Sequence, residues 1–250
     1  QPGSALLYGV TGSGKTSVYL SLIRRALDHN RSAMLLVPEI ALTPQLLGLL
    51  AGHFGDQVAV LHSSLPAGER YDQWKRVRSG DAKVIVGTRS AVFAPSPLLG
   101  LIILDEEQEH SYKSESNPRY SAKEVALWRG VKEQALVLLG SANPSVETMY
   151  HAQRGDHTLY RLQNRYNGKA LPEVHLVDMR QEIKEGNDTS FSLDLREAIM
   201  GTRDAGKQTI LFLNRRGNSR ALGCVDCRQA PECKRCSARL TYHSANERLM

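Results

Sequence analysis

The segment YGVTGSGKTSVYL (8–20) constrains the fold of this chain more than any other stretch. Gly9-Val10-Thr11-Gly12-Ser13-Gly14-Lys15-Thr16 meets every specified position of the pattern G-x-x-x-x-G-K-[ST]. An apolar run, Leu6–Val10, precedes it, and a helical pattern, Thr16–His29, follows. Glycines let a backbone curl until successive N–H groups point at one anion. Here Gly9, Thr11, Gly12, Ser13 and Gly14 form the curl, and the helix start near Lys15 adds its positive dipole end. The Lys15 ammonium then reaches the β- and γ-phosphates of a nucleotide, and the Thr16 hydroxyl ligates Mg²⁺.

The rest of the first half fits around that loop. Leu6–Val10, Ala33–Ile40, Val58–His62, Lys83–Gly87, Leu101–Asp105 and Ala135–Ser141 read as buried strands. Amphipathic segments lie between most of them: Thr16–His29, Thr43–Phe54, Ala67–Arg78 and Ser121–Gln134. Strand and helix in alternation predict an α/β fold with a parallel sheet covered on both faces. Ligands of such sheets bind at the carboxyl ends of the strands. There LIILDEEQEH (101–110) supplies Asp105-Glu106-Glu107 directly after a buried strand. Carboxylates in that position are costly unless they meet a cation. Asp105 is suited to hold Mg²⁺ through its water shell, and Glu106 to orient and deprotonate an attacking water.

Five further segments narrow the family: LLVPEIALTPQ (35–45), VIVGTRSAVFAP (84–95), DEEQEHSYK (105–113), GSANPSVET (140–148) and LFLNRRG (211–217). In order and spacing they resemble the motifs of superfamily 2 helicases, most closely the replication-restart family of primosomal protein N′, across the whole chain. The resemblance implies a RecA-like motor lobe, a 3′→5′ DNA-unwinding activity driven by ATP hydrolysis, and reloading of the replication machinery at stalled forks. It implies that Lys15, Thr16, Asp105 and Glu106 carry hydrolysis, and that Thr88 and Arg89 touch the DNA backbone. Ser141 and Asn143 would couple hydrolysis to strand movement, and Tyr112, Lys113, Arg119 and Tyr120 would sense single-stranded DNA. An aromatic beside a cation suits a stacked base next to phosphate. Two positions depart from the family pattern: Gln108 replaces a histidine and Asn143 a threonine. Gln108 can still hydrogen-bond a γ-phosphate or a coupling residue, so altered coupling is expected rather than lost hydrolysis. Forked and single-stranded DNA, single-strand DNA-binding protein and primosome loading factors are the implied partners.

The texture changes after Tyr150. His157–Leu162 and Glu173–Met179 read as strands joined by a Gly/Pro-containing linker, 163–172; Ser192–Ala205 reads as a helix and Gln208–Leu213 as a strand. The expected organisation is a first motor lobe over 1–162, a linker and the start of a second lobe over 163–217, and a zinc-binding segment over 218–250. The family's last motifs are not found before Met250, so the chain is expected to be an internal fragment that binds nucleotide weakly and does not unwind DNA.

All four cysteines lie in CVDCRQAPECKRC (224–236), as two Cys-x-x-Cys pairs separated by a spacer of five residues. Tetrahedral zinc takes four ligands, but ribbons built on two such pairs separate them by roughly 15–20 residues. One strained site, disulfides within each pair, and two separate half-sites all remain open from the spacing. The family resemblance implies the last: Cys224 and Cys227 on one zinc ion, Cys233 and Cys236 on another.

Hydrophobic content of 41% and charged content of 23% are those of an ordinary globular protein. No apolar run approaches the roughly 18 residues of a membrane span, and no signal peptide opens the chain. A cytoplasmic, nucleoid-associated bacterial protein is expected, one in which clustered cysteines bind metal. The net charge of +6 is a mild sign of a polyanionic partner. Trp74 and Trp128 are expected to be packing residues, His110 a surface-loop histidine, and Arg180–Asp188 a solvated loop. Two other classes compete with the motor: a binding scaffold without hydrolysis, and a P-loop enzyme acting on a small molecule. The second leaves 84–95 and 140–148 without a purpose.

Overall fold

The computed structural model describes residues 3–166, 168, 172–187, 189–212, 242–243 and 248–249. The chain divides into two compact units, Gln1–Pro172 and Glu173–Met250. The first is built on seven strands: β1 (Ser4–Gly9), β2 (Ser32–Leu36), β3 (Val58–Leu61), β4 (Val84–Gly87), β5 (Leu99–Asp105), β6 (Leu136–Ser141) and β7 (Thr158–Leu162). They form one sheet in the order β3-β4-β2-β5-β6-β1-β7, and every pairing is parallel. Its described residues include the α-helices α1 (Lys15–Asp28), α2 (Pro44–Phe54), α3 (Ala67–Ser79), α4 (Ala122–Glu133) and α5 (Val146–Arg154).

The strands are apolar throughout because both faces of the sheet are covered. In β5, Ile102 and Leu104 join a core cluster with Val77 of α3, Ala126 of α4 and Ala152 of α5. Leu101 and Ile103, pointing the other way, join Ile23 of α1 and Leu50 of α2. The period-two alternation therefore divides residues between two cores instead of between core and solvent. The parallel α/β fold expected from the sequence is borne out.

Some boundaries and elements differ from expectation. β2 stops at Leu36, before Pro38, and Glu39–Ala41 forms a turn of 3₁₀ helix; proline has no N–H to donate to a sheet ladder. Helix α5 was not anticipated. Ser145 caps it by accepting a hydrogen bond from the Thr148 N–H, and Gly155 ends it at φ +87°. Trp128 is not a packing residue. The buried face of α4 is Ala122, Ala126, Arg129 and Gly130, which leaves the Trp128 indole 60% exposed under the Lys132 ammonium.

In the second unit, helices α6 (Met179–Lys184) and α7 (Leu193–Asp204) are formed, so the charged run at 180 is helical in its first turns. The strand expected at Glu173–Met179 is absent, and of the one expected at Gln208–Leu213 the described residues, 208–212, join no sheet. Val174 and Leu176 are 77% and 95% exposed, and an extended segment without a neighbouring strand leaves its backbone groups to water. Tyr242–His243 pairs antiparallel with Arg248–Leu249. The four cysteines and the NRRG sequence lie outside the described residues.

Candidate functional site

Three strand ends meet at one edge of the sheet. β6 lies between β5 and β1, and its register sets Ser141 opposite Tyr8 and Gly140 opposite Asp105. With neighbouring strands about 4.8 Å apart, Gly9, Ser141 and Asp105 are delivered to one small area. The loop after β1 turns through Gly12 and Gly14 at φ +78° and +90°, a region that costs a side-chain-bearing residue energy. Gly14 is the N-cap of α1, and its carbonyl accepts from the N–H groups of Ser17 and Val18. The Lys15 ammonium donates to the Gly9 carbonyl at 3.1 Å and stands 3.7 Å from Glu106 Oε1. Ser13 Oγ is buried without a hydrogen-bond partner. A curled loop with a lysine at its mouth and an orphaned hydroxyl fits a phosphate chain.

Asp105 is held by a phenol that sequence reading did not anticipate. Tyr19, one turn into α1, donates its hydroxyl to Asp105 Oδ1 at 2.7 Å. The approach is close enough to demand glycine in the neighbouring strand: a Cβ on Gly140 would lie 1.9 Å from the Tyr19 hydroxyl oxygen. Burial pushes the Tyr19 pKa well above the ordinary phenol value, with the Asp105 charge adding to it, so Tyr19 remains a donor. Burial also raises the pKa of Asp105, opposed by the Tyr19 hydrogen bond and the Lys15 charge. The folded state therefore holds the Asp105 proton more tightly than the unfolded chain does. Its stabilising contribution is full below the unfolded pKa and is lost as pH rises through the folded pKa. Burial thus disfavours the ionised form of a carboxyl at the phosphate loop, as suits a group that awaits a cation. Asp105→Asn is expected to raise the melting temperature of the ligand-free chain at pH 7 while ending any Mg²⁺ dependence of nucleotide binding. A lower melting temperature would show that the buried carboxyl stabilises the ligand-free chain at that pH.

Glu106 follows at φ +47°, a left-handed conformation that is costly for a residue with a side chain and that recurs at functional sites. From it a hydrogen-bond chain runs along the strand ends. Gln108 Nε2 donates to Glu106 Oε2 at 3.0 Å. The Ser141 hydroxyl donates to Gln108 Oε1 at 2.6 Å, and the Asn143 N–H donates to Ser141 Oγ at 2.8 Å. Ser141 is fully buried, whereas Asn143 is exposed. Gln108 thus reaches Glu106 and Ser141 at once, one with each end of its amide.

The third acid of the run has a different task. Glu107 is buried; it pairs with the Lys123 ammonium at 2.9 Å and accepts from the Ser145 N–H at 2.7 Å and the Thr148 hydroxyl at 2.9 Å. Burial alone would raise its pKa, but the Lys123 hydrogen bond, the Ser145 N–H, the Lys123 charge and Thr148 outweigh it and hold the carboxyl below its ordinary value of 4.5. A lowered carboxyl stabilises the fold above its unfolded pKa, and the stabilisation is lost as pH falls through the folded one. Glu107→Ala is expected to cost about 3 kcal/mol in urea denaturation, because it leaves Lys123 and the α5 cap without their acceptor. It should also flatten the acid limb of the stability profile. A loss below about 1 kcal/mol would show that water replaces the carboxylate there.

The residues expected at DNA divide. Tyr112 is corrected to a core residue: it is 3% exposed, and its hydroxyl donates to the carbonyls of Leu36 and Asp105. Thr88 is likewise buried, its N–H bonded to the Leu61 carbonyl. Arg89 is engaged within the protein, donating to the carbonyls of Ser111 and Lys113, with its guanidinium over the Tyr120 ring. Lys113 and Arg119 are exposed. Phe93, not singled out from sequence, is 55% exposed and meets Tyr120 edge-on at 4.8 Å. His110 is exposed, as expected of a surface-loop histidine.

Comparison with known proteins agrees with this geometry. The DEAD/DEAH box helicase family model matches residues 1–151. Replication restart protein PriA of Bacillus subtilis (strain 168) is 48% identical over 244 residues, 98% of this chain and 30% of that protein. The PriA of Synechocystis sp. is 45% identical over 243 residues, 95% of this chain and 29% of the relative. That of Chlamydia trachomatis serovar D is 42% identical over 249 residues, 99% and 33%. The expected kinship with replication-restart helicases is borne out, and the chain spans about a third of the length of these relatives. Among solved structures, RecG bound to a three-way DNA junction gives a TM-score of 0.48 at 23% identity, covering 74% of this chain and 26% of that one. With its phosphate loop, acidic strand end and matching family model, this chain belongs to the DEAD/DEAH box helicase family.

Proposed function

We propose that this chain is the nucleotide-hydrolysing part of an ATP-dependent 3′→5′ DNA helicase of replication restart. The observation that supports it best is the chain of hydrogen bonds from Glu106 through Gln108 and Ser141 to Asn143. A small-molecule P-loop enzyme needs the loop and the acids, but has no use for a relay leading away from them.

In this reading Lys15 and the loop N–H groups of Gly12 to Thr16 bind the phosphates of ATP. Thr16 and Asp105 hold Mg²⁺, which when bound neutralises charge on the phosphate oxygens. Glu106 orients the attacking water and takes its proton. Lys15 stands near enough to Glu106 to keep that carboxylate in place before phosphate arrives. Gln108 and Ser141 transmit the state of Glu106 to the 141–145 loop, and Asn143 is the exposed end of that path. Arg89, with Lys113, Arg119, Tyr120 and Phe93, forms the DNA-facing edge; Arg89 acts mainly by fixing the loop that contains Lys113.

The proposed organisation is a first motor lobe over 1–162, a linker and second-lobe start over 163–217, and a zinc segment over 218–250, with Cys224, Cys227, Cys233 and Cys236 as ligands of two ions. Cytoplasmic, nucleoid-associated action on forked and single-stranded DNA, alongside single-strand DNA-binding protein and primosome loading factors, completes the reading. Among the described residues no helix is long and apolar enough to cross a membrane. For the present chain alone we propose weak nucleotide binding and no unwinding. The test is strand separation by the protein extended through its second lobe: ATP should drive release from a duplex with a 3′ tail and not from one with only a 5′ tail. Equal release from both would overturn the assigned polarity.

A further inference from the structure

The hydrolysis carboxylates fix which way a nucleotide must lie. Asp105 ends β5 and Ser141 ends β6, and both stand on one side of the loop after β1; β7 stands on the other. A nucleoside triphosphate is extended, with its reactive phosphate at one end and its base at the other. If the reactive phosphate faces Glu106, the base lies toward β7.

On that side the chain leaves β7 and returns over the loop. The Tyr166 N–H donates to the Gly12 carbonyl at 2.9 Å, which ties the segment to the loop and leaves the Gly12 N–H for phosphate. The Tyr166 ring is 89% exposed at this anchored position. Arg165, beside it, has a buried Nε without a hydrogen-bond partner, and no carboxylate among the described residues pairs with its guanidinium. An open cleft between the two strand ends is lined by Tyr8, Gly9, Val10, Arg161, Leu162 and Gln163. An exposed aromatic and an unpaired cation, held against a phosphate loop on its base side, match the two ends of a nucleoside phosphate.

We propose that Arg165 and Tyr166 form the base-side wall of the nucleotide site, with Tyr166 stacking on the nucleobase and Arg165 pairing with the phosphate next to the ribose. The proposal rests on reading 9–16 as the phosphate site. It assigns a role to a stretch that otherwise reads only as a linker.

Calorimetric titration of the chain with ADP and with inorganic pyrophosphate, both with Mg²⁺, separates the two contributions. The unaltered chain should bind ADP more tightly than pyrophosphate; equal affinities would mean that the base has no site and would overturn the proposal. Tyr166→Ala should weaken ADP binding about tenfold, the loss of one base–aromatic stack, and leave pyrophosphate unchanged. Tyr166→Phe should keep ADP affinity. Arg165→Gln should weaken both ligands, and Arg165→Lys should restore most of the loss. Unchanged ADP binding by Tyr166→Ala, or equal losses of ADP and pyrophosphate, would overturn the stacking role; unchanged binding by Arg165→Gln would overturn the pairing role. Lys15→Ala serves as the control: if it binds both ligands normally, the phosphate-site reading itself fails. Because the Tyr166 anchor is a backbone bond and its ring is exposed, Tyr166→Ala should melt at the temperature of the parent.

Discussion

Glu106→Gln should lower ATP hydrolysis by about 10²–10⁴-fold in the protein extended through its second lobe, while ATP binding changes only a few-fold. The range is what a positioned general base contributes. Glutamine has the same length and can still accept the hydrogen bond from Gln108 Nε2, but it cannot take a proton from water. The φ of +47° at this position strengthens the case, since a strained backbone persists only where surrounding structure holds it. Here the Lys15 ammonium on one oxygen and the Gln108 amide on the other do so. Steady-state phosphate release together with equilibrium nucleotide titration checks both halves of the expectation. Hydrolysis within tenfold of the parent would remove Glu106 from the base role.

Lys15→Ala should weaken binding of ATP and ADP by at least about 30-fold, since removing one member of a desolvated charge pair typically costs about 2–5 kcal/mol. The Lys15 side chain is only 11% exposed, so water is a poor substitute for it. Arginine should not restore binding. Its planar, forked head does not fit the place of a compact ammonium between the Gly9 carbonyl and Glu106. Titration with a fluorescent nucleotide would measure the loss, and affinity within tenfold of the parent would contradict it.

The phosphate-loop half of the candidate site was legible because its pattern is local. The loop 9–16 is one contiguous pattern, and Asp105 and Glu106 declare themselves by following a buried strand. The strands were legible for the same reason, since burial on both faces leaves unbroken apolar runs. β2 was overextended because Val37 and Ile40 continue the apolar pattern past Pro38. What was hidden depends on long-range contacts. Nothing near Tyr19 announces a partner 86 positions away. Glu107 reads like its two neighbours, and only the approach of α4 and α5 makes it a structural anchor. Tyr112 was misread because an aromatic next to a lysine does not tell which way the ring points; the 110–112 turn directs this ring inward while His110 and Ser111 stay exposed. Trp128 was misread for the converse reason, a helix whose buried stripe is made mostly of small residues. The strand expected at 173–179 did not form, because an extended segment without a partner does not make a sheet.

We propose that DNA governs hydrolysis at the phosphate loop through Glu106, Gln108 and Ser141. The rate of ATP hydrolysis by the protein extended through its second lobe, with and without single-stranded DNA, tests this coupling. The expected rate is at least about tenfold higher with DNA, and Ser141→Ala, which breaks the chain of hydrogen bonds at its middle, should lose that stimulation. Turnover that is brisk without DNA and indifferent to its addition would rule out coupling through Ser141.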